Sequence, residues 1–225
     1  MSEQPINKRY FDLIVTIVNI GKASRVLEEA KKQGVTGGTI TLAHGTVSSG
    51  LLRKLGLMEV RKEVLFMVSD RMFTNDAIDH LNETFKLNEP NKGIIFSVPL
   101  SNILGTQGQR FDLHETDPIE DATHELFFSI VPNGVGDDVV DAVRSIGASG
   151  GTILHGLGAF AETVTKVFGI EINSERDIVL NLVDKAIADQ VEETLTTNIN
   201  YQDRDSGILF SMDAHHVRGI YQKKK

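Results

Sequence analysis

The side chains best suited to metal chemistry in this sequence are its seven histidines. His44 and His155 lie near the ends of two predicted strands, and His215 and His216 are adjacent near the C-terminus. Adjacent residues on a strand point to opposite faces, and these spacings match no recognised zinc-ligand pattern. We therefore predict no metal ligand and expect ordinary surface or hydrogen-bonding histidines.

Acidic side chains are concentrated in the middle of the chain and are a second candidate for metal binding. The group consists of Asp112, Glu115, Asp117, Glu120 and Asp121. The ligand spacing of a calcium loop and its required glycine are both absent. The surrounding sequence is polar and weakly periodic, which is typical of a linker, so we predict a solvated linker over residues 105–123.

Motifs for covalent or phosphoryl chemistry are missing. The glycine-rich residues 34–38 follow a predicted helix and enter a predicted strand, whereas a phosphate-binding loop leads from a strand into a helix. The sequence has no nucleophile elbow, no dinucleotide fingerprint and no cysteine. Because cysteine is absent, disulfides, thiolate nucleophiles and cysteine zinc sites are excluded. We expect a binding protein and not an enzyme.

Two long connections between predicted strands two and three are candidate partner-binding loops. They run over residues 46–62 and 159–175, whereas a simple hairpin needs roughly 2–5 residues. Excess loop length on a rigid scaffold commonly carries function. Apolar residues in each loop share a helical face, which predicts short amphipathic helices that dock on a neighbouring subunit or bind a partner. The candidate residues are Leu51, Leu52, Arg53, Lys54, Phe160 and Val164.

All these segments belong to a scaffold that occurs twice in the sequence. Residues 37–40, Gly-Gly-Thr-Ile, return as residues 150–153 at an offset of 113, and Phe96-Ser97 returns as Phe210-Ser211 at an offset of 114. A period this long matches one globular domain and not a solenoid repeat. We predict a first domain over residues 10–104 and a second over residues 124–222, joined by the linker.

Hydrophobic periodicity predicts the same order of elements in both copies. The first copy opens with a β-branched apolar strand over Phe11–Val18, and Ala23, Val26 and Ala30 then have the spacing of an amphipathic helix. Continued through each copy, the pattern predicts strand–helix–strand–strand–helix–strand, the ferredoxin-like order. The predicted fold class is therefore α+β, with two tandem ferredoxin-like (βαββαβ) domains. Helices would cover one sheet face, leaving the other to pack against further copies.

Composition restricts the class of partner. The formal net charge of −8 argues against nucleic-acid binding, which needs a concentrated basic face. No apolar run approaches the ~18 residues of a membrane span, and no N-terminal stretch resembles a signal peptide. We expect a cytoplasmic protein that does not itself span a membrane.

Segments of both copies resemble the PII (nitrogen regulatory P-II) signal-transduction superfamily. Residues 150–158 and 37–45 resemble its second strand and loop entry, residues 206–210 and 92–96 its second loop and fourth strand, and residues 216–220 its C-terminal loop. The resemblance covers nearly all of both copies. It implies a PII-like fold and a regulatory protein of nitrogen or related metabolism that senses a small effector.

The resemblance also implies a ligand. Family members commonly bind adenine nucleotides in clefts between adjacent domains, so ATP, ADP or AMP is the implied effector. Glycines let backbone N–H groups approach phosphate oxygens, and basic side chains supply the opposite charge. The implied ligand-binding residues are Gly45, Thr46, Lys92, Gly93, Gly156, Gly158, Gly207 and Arg218. Residues 99–104 contain no basic residue, which favours the second copy as the ligand site.

Self-association and a protein partner are implied in the same way. PII-type rings use three domains, so with two domains per chain we expect an assembly of three or six chains. The implied partner is a membrane transporter or a metabolic enzyme. Two alternatives stay open: a structural or protein-interaction module without a small ligand, and a metal-binding trimer like the related copper-tolerance family.

Overall fold

A computed structural model of the 225-residue chain describes residues 10–35, 37–46, 59–100, 102–106, 109–112, 122–158, 165–167, 170–172, 174–199, 201 and 207–220. Within these ranges the helices are α1 (Ala23–Lys31), α2 (Arg71–Phe85), α3 (Gly136–Ser145) and α4 (Ala188–Asn198), the last preceded by a 3₁₀ turn at Lys185–Ile187. The strands are β1 (Phe11–Asn19), β2 (Gly38–Thr46), β3 (Glu59–Asp70), β4 (Gly93–Pro99), β5 (Asn102–Thr106), β6 (Gln109–Asp112), β7 (His124–Pro132), β8 (Thr152–Gly158), β9 (Thr165–Val167), β10 (Ile170–Ile172), β11 (Ser174–Asp184) and β12 (Ile208–Arg218).

Eight of these strands form one closed antiparallel barrel in the order β1-β3-β2-β8-β11-β7-β12-β4. The prediction of two tandem ferredoxin-like α+β domains of PII type is therefore wrong. Local periodicity predicts where strands begin and end, but it does not say which strand an open sheet edge will pair with. Here β2 pairs with β8 and β12 pairs with β4. Such pairing satisfies backbone N–H and C=O groups that an open edge would leave exposed.

Internal contacts group the chain into two compact units. Unit 1 comprises Met1–Ile40, Val64–Ala122 and Asp213–Tyr221, and unit 2 comprises Thr41–Glu63, Thr123–Met212 and Gln222–Lys225. Residues 41–63 of the first copy are thus grouped with unit 2, and residues 213–221 of the second copy with unit 1. The boundaries 10–104 and 124–222 stay predictions for the sequence repeat, while the contacts follow this different division.

Unit 1 buries its core between helices α1 and α2 and one face of strands β1, β3 and β4. Helix α1 contributes a stripe of apolar residues, and α2 is capped by Asp70, whose side chain accepts a hydrogen bond from the Met72 N–H at 3.2 Å. This cap satisfies one of the N–H groups that a helix start leaves without an intrahelical partner. The buried core consists of Ile14, Val18, Ala23, Val26, Ala30, Val35, Leu65, Met67, Ala77, Ile78, Leu81, Leu87 and Ile95.

Unit 2 buries a separate core under helices α3 and α4. Asp184 caps the 3₁₀ turn before α4, accepting from the Ala186 N–H at 2.9 Å, and it is the repeat counterpart of Asp70. The buried Asp177 carboxylate accepts from the N–H groups of Gly134 and Gly136 at the start of α3, at 2.8 and 3.1 Å. The core consists of Phe127, Val131, Val139, Val140, Val143, Ile153, Val179, Val183, Ala188, Val191, Leu195 and Ile199.

Two small hairpins lie outside the barrel. Strands β5 and β6 pair with Asn102 opposite Asp112, so part of the predicted linker is a strand. Strands β9 and β10 pair with Val167 opposite Ile170. The helix predicted for the second long loop is wrong at Thr165–Val167, because these residues form strand β9 and pair with β10.

The six candidate partner-binding residues, at positions 51–54, 160 and 164, lie outside the described residues, so their role stays a prediction. No helix in the described part of the chain is long and apolar enough to cross a membrane.

Candidate functional site

Unit 2 contains a cavity of about 400 Å³ between helix α4 and the beginning of strand β12. Pockets for small organic ligands range over roughly 300–1,000 Å³, so this cavity has a suitable size. It is lined by Phe127, Glu192, Thr196, Tyr201, Gly207, Ile208, Leu209, Phe210 and Ser211.

Apolar side chains form most of the cavity wall. Phe127 belongs to the buried core of unit 2, and Leu209 packs against that core. Phe210 is 41% exposed, and its ring stacks on Phe128 with centroids 5.1 Å apart and an interplanar angle of 10°. Phe128 follows the buried Phe127 on β7, and successive strand residues point to opposite faces, so the Phe210 ring lies on the sheet face away from the Phe127 core.

Helix α4 provides polar groups on one side of the cavity. Glu192 and Thr196 are four residues apart and therefore share a helix face. The Thr196 hydroxyl donates to the backbone oxygen of Glu192 at 2.8 Å, which occupies its proton and leaves an oxygen lone pair as an acceptor. Glu192 adds an exposed carboxylate, which accepts hydrogen bonds when ionised.

Tyr201 provides a third polar group. Its hydroxyl donates to the Ser129 hydroxyl oxygen at 3.1 Å. Burial raises the pKa of the Tyr201 phenol above its ordinary value, and the hydrogen bond to Ser129 acts in the opposite direction. The neutral phenol therefore persists at physiological pH, and its oxygen can accept a hydrogen bond from a ligand.

Gly207 lines the cavity and also has a structural role. Its φ is +141°, and a Cβ placed there would lie 2.4 Å from the Ile130 backbone oxygen. The repeat counterpart, Gly93, has φ +151° and would place a Cβ 2.6 Å from the Ile17 backbone oxygen. Close approach of a neighbouring strand thus explains both glycines without a ligand, and the evidence for a binding site is the cavity itself.

The basic residues implied for phosphate binding lie in unit 1 and have carboxylate partners. The Arg218 Nη2 lies 2.8 Å from Asp79 Oδ1, and the Lys92 Nζ lies 3.6 Å from Glu89 Oε2. These carboxylates neutralise the positive charges that would otherwise attract a phosphate group.

The other implied glycines lie on strands of unit 2. Gly45 on β2 pairs with Thr152, and a Cβ there would lie 3.0 Å from the Lys62 Cε. Burial lowers the pKa of the Lys62 ammonium group. Gly156 and Gly158 on β8 pair with β11, and Thr46 ends β2. Among the described lining residues, Gly207 is the one member of the implied set.

Glu192, Thr196 and Tyr201 are absent from the set that the sequence implied. A signal for them exists in the repeat, because at an offset of 114 they correspond to Ile78, Asn82 and Leu87. Two buried apolar residues of the first copy are thus replaced by a carboxylate and a phenol in the second. A polar replacement at core positions indicates that the second copy keeps this region open.

No protein-family model matches this sequence, and neither does any curated protein. Membership of the PII superfamily accordingly stays a prediction drawn from the sequence segments quoted above.

Proposed function

We propose that the protein is a regulatory binding protein that takes a small effector in the cavity of unit 2. The observation that carries the proposal is the combination of apolar walls with three polar groups around about 400 Å³ of space. Mostly apolar walls with a few placed polar groups are the usual composition of a small-molecule site.

The lining favours a flat ring that carries hydroxyl or amino donors. Tyr201 provides a half-buried aromatic ring, and aromatic ligands gain energy from offset stacking on such a ring. Glu192, Thr196 and Tyr201 all present acceptor oxygens, which match the hydroxyl groups of a ribose or the amino group of a base. A nucleoside such as adenosine combines both features.

Phosphate groups fit this lining less well than a nucleoside does. Among the described lining residues there is a carboxylate, Glu192, and no lysine or arginine. A phosphate beside an ionised carboxylate is disfavoured by like-charge repulsion. We therefore propose adenosine-like recognition within the adenine-nucleotide class, with affinity falling from adenosine to AMP, ADP and ATP.

The proposed site binds its ligand without catalysing a reaction. The Tyr201 hydroxyl donates to Ser129 and the Thr196 hydroxyl donates to the Glu192 backbone, so neither donates to a general base. An activated hydroxyl nucleophile needs such a base within hydrogen-bond reach. We expect no phosphate release when the protein is incubated with ATP, and steady ATP turnover would contradict a purely regulatory role.

A thermal-shift titration of the full chain tests the ligand directly. Adenosine at ~100 times its dissociation constant would stabilise the protein by about 2.7 kcal/mol, and the nucleotides would stabilise it less at the same concentration. Absence of a shift with adenosine, AMP, ADP and ATP would sink the proposal. A larger shift with ATP than with adenosine would place the ligand at phosphate-binding groups elsewhere.

Matched variants locate the ligand. Glu192→Gln removes the carboxylate from the cavity with little change of shape and should weaken adenosine binding. Glu193→Gln changes the neighbouring exposed carboxylate, which does not line the cavity, and should bind adenosine like the parent protein. Equal weakening by both variants would contradict this location.

The assembly and partner remain proposals that follow from the sequence. We propose self-association in three or six chains, a cytoplasmic location, and a membrane transporter or metabolic enzyme as the partner of the long loops. Light scattering that gives the mass of one chain would contradict the assembly.

A further inference from the structure

A second cavity of unit 2, the α3–α4 groove, lies between helices α3 and α4 and measures about 460 Å³. Its apolar surface includes Val135 and Ala142, at the start of α3 and on it, and Ile199, which follows α4 and is 7% exposed. Pockets for small ligands span roughly 300–1,000 Å³, so the groove has a suitable size. It shares no described lining residue with the cavity proposed for adenosine and is therefore a separate candidate site.

Hydrogen-bond acceptors dominate the polar side of the α3–α4 groove. Asp138 and Asp141 are three residues apart on α3 and therefore share a helix face. Asn198 donates from Nδ2 to the Thr194 backbone oxygen at 2.8 Å, which leaves its Oδ1 atom as an acceptor. Among the described lining residues there is no lysine or arginine. The groove therefore matches a ligand that is positively charged and rich in N–H donors.

The two carboxylates differ in the partners they have within the protein. Asp141 Oδ1 lies 3.5 Å from Arg144 Nη1, one turn farther along α3. Within the described part of the chain, no basic side chain forms an ion pair with Asp138, which is exposed. Asp138 is thus the carboxylate that is available to a cationic ligand.

The equivalent place between α1 and α2 of unit 1 holds a guanidinium group. At an offset of 113 Asp138 corresponds to Arg25, and at an offset of 114 Ile199 corresponds to Phe85. The Arg25 Cζ atom lies 5.9 Å from the centroid of the Phe85 ring, within the limit of about 6 Å for a cation–π contact. The first copy thus covers this place with its own arginine, whereas the second copy has a carboxylate there.

A second link between the two helices of unit 1 also has no equivalent in unit 2. His80 Nε2 on α2 lies 3.4 Å from Glu29 Oε2 on α1. Their counterparts in the repeat are Thr194 and Ala142, which are uncharged and shorter. In unit 2 neither an arginine nor such a link fills the space between the helices, and this space is the α3–α4 groove. The repeat therefore indicates which kind of group fits it.

We propose that the α3–α4 groove binds a small alkylguanidinium ligand and that Asp138 pairs with its guanidinium group. A guanidinium has five N–H donors in one plane and binds a carboxylate through two parallel hydrogen bonds. Its faces are weakly hydrated, and an alkyl stem packs on apolar surface such as that of Val135, Ala142 and Ile199. Because this cavity is separate from the one proposed for adenosine, the inference does not depend on the proposed function.

Isothermal titration calorimetry of the full chain with agmatine, an aminobutyl guanidine, tests the site. Agmatine should bind with a stoichiometry of one per chain. Putrescine has the same stem with an ammonium group in place of the guanidinium, and it should bind more weakly because an ammonium cannot form the bidentate pair. Arginine adds a carboxylate, which the acidic groove repels, so it should also bind more weakly than agmatine.

Two matched variants locate the ligand. Asp138→Arg and Asp189→Arg each replace an exposed acidic residue in the first turn of a unit 2 helix, so they change the net charge and the helix dipole interaction alike. Asp138 lines the groove and Asp189 does not. Asp138→Arg should weaken agmatine binding about tenfold, because attraction between exposed charges becomes repulsion. Asp189→Arg should bind agmatine like the parent protein, and thermal melting shows that both variants are folded.

Four results would each overturn the proposal: no binding of agmatine to the parent protein, parent-like affinity in Asp138→Arg, equal weakening by both arginine variants, or putrescine bound as tightly as agmatine. Glu192→Gln, the variant expected to weaken adenosine binding, should leave agmatine binding unchanged. Failure of the adenosine site and failure of the α3–α4 groove are therefore distinguishable.

Discussion

The region between α2 and β4 in unit 1 and the region between α4 and β12 in unit 2 occupy equivalent positions in the repeat, yet one is filled and the other is open. Ile78, Leu87 and Ile95 are fully or almost fully buried in the unit 1 core. At an offset of 114 they correspond to Glu192, Tyr201 and Leu209, which line the cavity of unit 2. A carboxylate and a phenol in unit 2 thus stand where unit 1 has two buried apolar side chains.

The filled region is also in contact with Arg218, which ends strand β12, and with Gly219, which follows it. The Gly219 N–H donates to Asn88 Oδ1 at 3.2 Å, and Arg218 binds Asp79 on α2. A Cβ at Gly219 would lie 2.2 Å from the Gly93 backbone oxygen, so this residue is in close contact with the start of β4. The two copies therefore share their strands and the glycines Gly93 and Gly207. They differ in the side chains that pack between the helix and the last strand.

Among the variants that distinguish the two regions, Leu87→Ala should cause the largest loss of unfolding free energy. This side chain is 1% exposed, and deletion of a buried leucine costs about 2–5 kcal/mol, part of which is the cavity left behind. Leu209→Ala should cost less, because Leu209 is only partly buried beside an existing cavity. Urea unfolding measures both values, and equal losses would break the contrast between filled and open regions.

Substitution of the glycine at the start of β4 or just before β12 should have the same effect on stability, because both copies share these glycines. Gly93→Ala and Gly207→Ala should each lower the free energy of unfolding by about 1–3 kcal/mol, the usual range for a strained backbone conformation. Gly37→Ala is the control, since a Cβ there would meet nothing within 4 Å. A large loss of unfolding free energy in only one of the two glycine variants would show that the strands of the two copies also differ.

The Tyr201 hydroxyl should make a smaller contribution, confined to unit 2. Tyr201→Phe removes the donor to the Ser129 hydroxyl and should cost about 0.5–1.5 kcal/mol, the net value of a typical hydrogen bond. A double-mutant cycle with Ser129→Ala isolates this coupling. Additive losses in the cycle would mean that the hydrogen bond does not stabilise the folded protein.

The smallest effect concerns pH and should appear in both units. Burial lowers the pKa of His124 in unit 2 and of His215 in unit 1 below the ordinary 6.5. The unfolded chain therefore takes up protons on these histidines before the folded chain does. Their contribution to stability is present above pH 6.5 and is lost as the pH falls through the lowered folded values.

Urea unfolding between pH 7.5 and 5 measures this effect. His124→Gln and His215→Gln should each have a shallower fall in the free energy of unfolding than the parent. A parent-like slope in both test variants would contradict the assignment.

Individual helices and strands were predictable where the spacing of apolar residues is enough to distinguish a helix from a strand. The strand predicted over Phe11–Val18 is confirmed as Phe11–Asn19, and the apolar stripe of α1 is buried as its spacing indicated. Strand partners were not predictable, because the local pattern of β2 does not show that it pairs with β8 as well as with β3 of its own copy. The ferredoxin-like prediction failed at that step.

The cavity was hidden for a related reason. The sequence alone indicates only that Glu192 is an exposed helix residue and Tyr201 an isolated aromatic residue. Their significance appears when Glu192 is compared with the buried Ile78 and Tyr201 with the buried Leu87. The contact between His44 and His155 was hidden in the same way: they are separated by 111 positions, and only the pairing of β2 with β8 brings their rings together. Sequence patterns report neighbours along the chain, whereas the cavity and this contact are made by neighbours across strands and helices.

The grouping of residues 213–221 with unit 1 has a consequence for synthesis on the ribosome. Ser97 on β4 hydrogen-bonds to His216, which is 119 residues later in the chain. Unit 1 therefore cannot complete these contacts until residues 213–221 have been synthesised, and until then strand β4 lacks its partner β12. Folding that depends on such distant contacts is slow and exposes aggregation-prone surface. A stop codon that removes residues 213–221 would thus destabilise unit 1, the part of the protein that was made first.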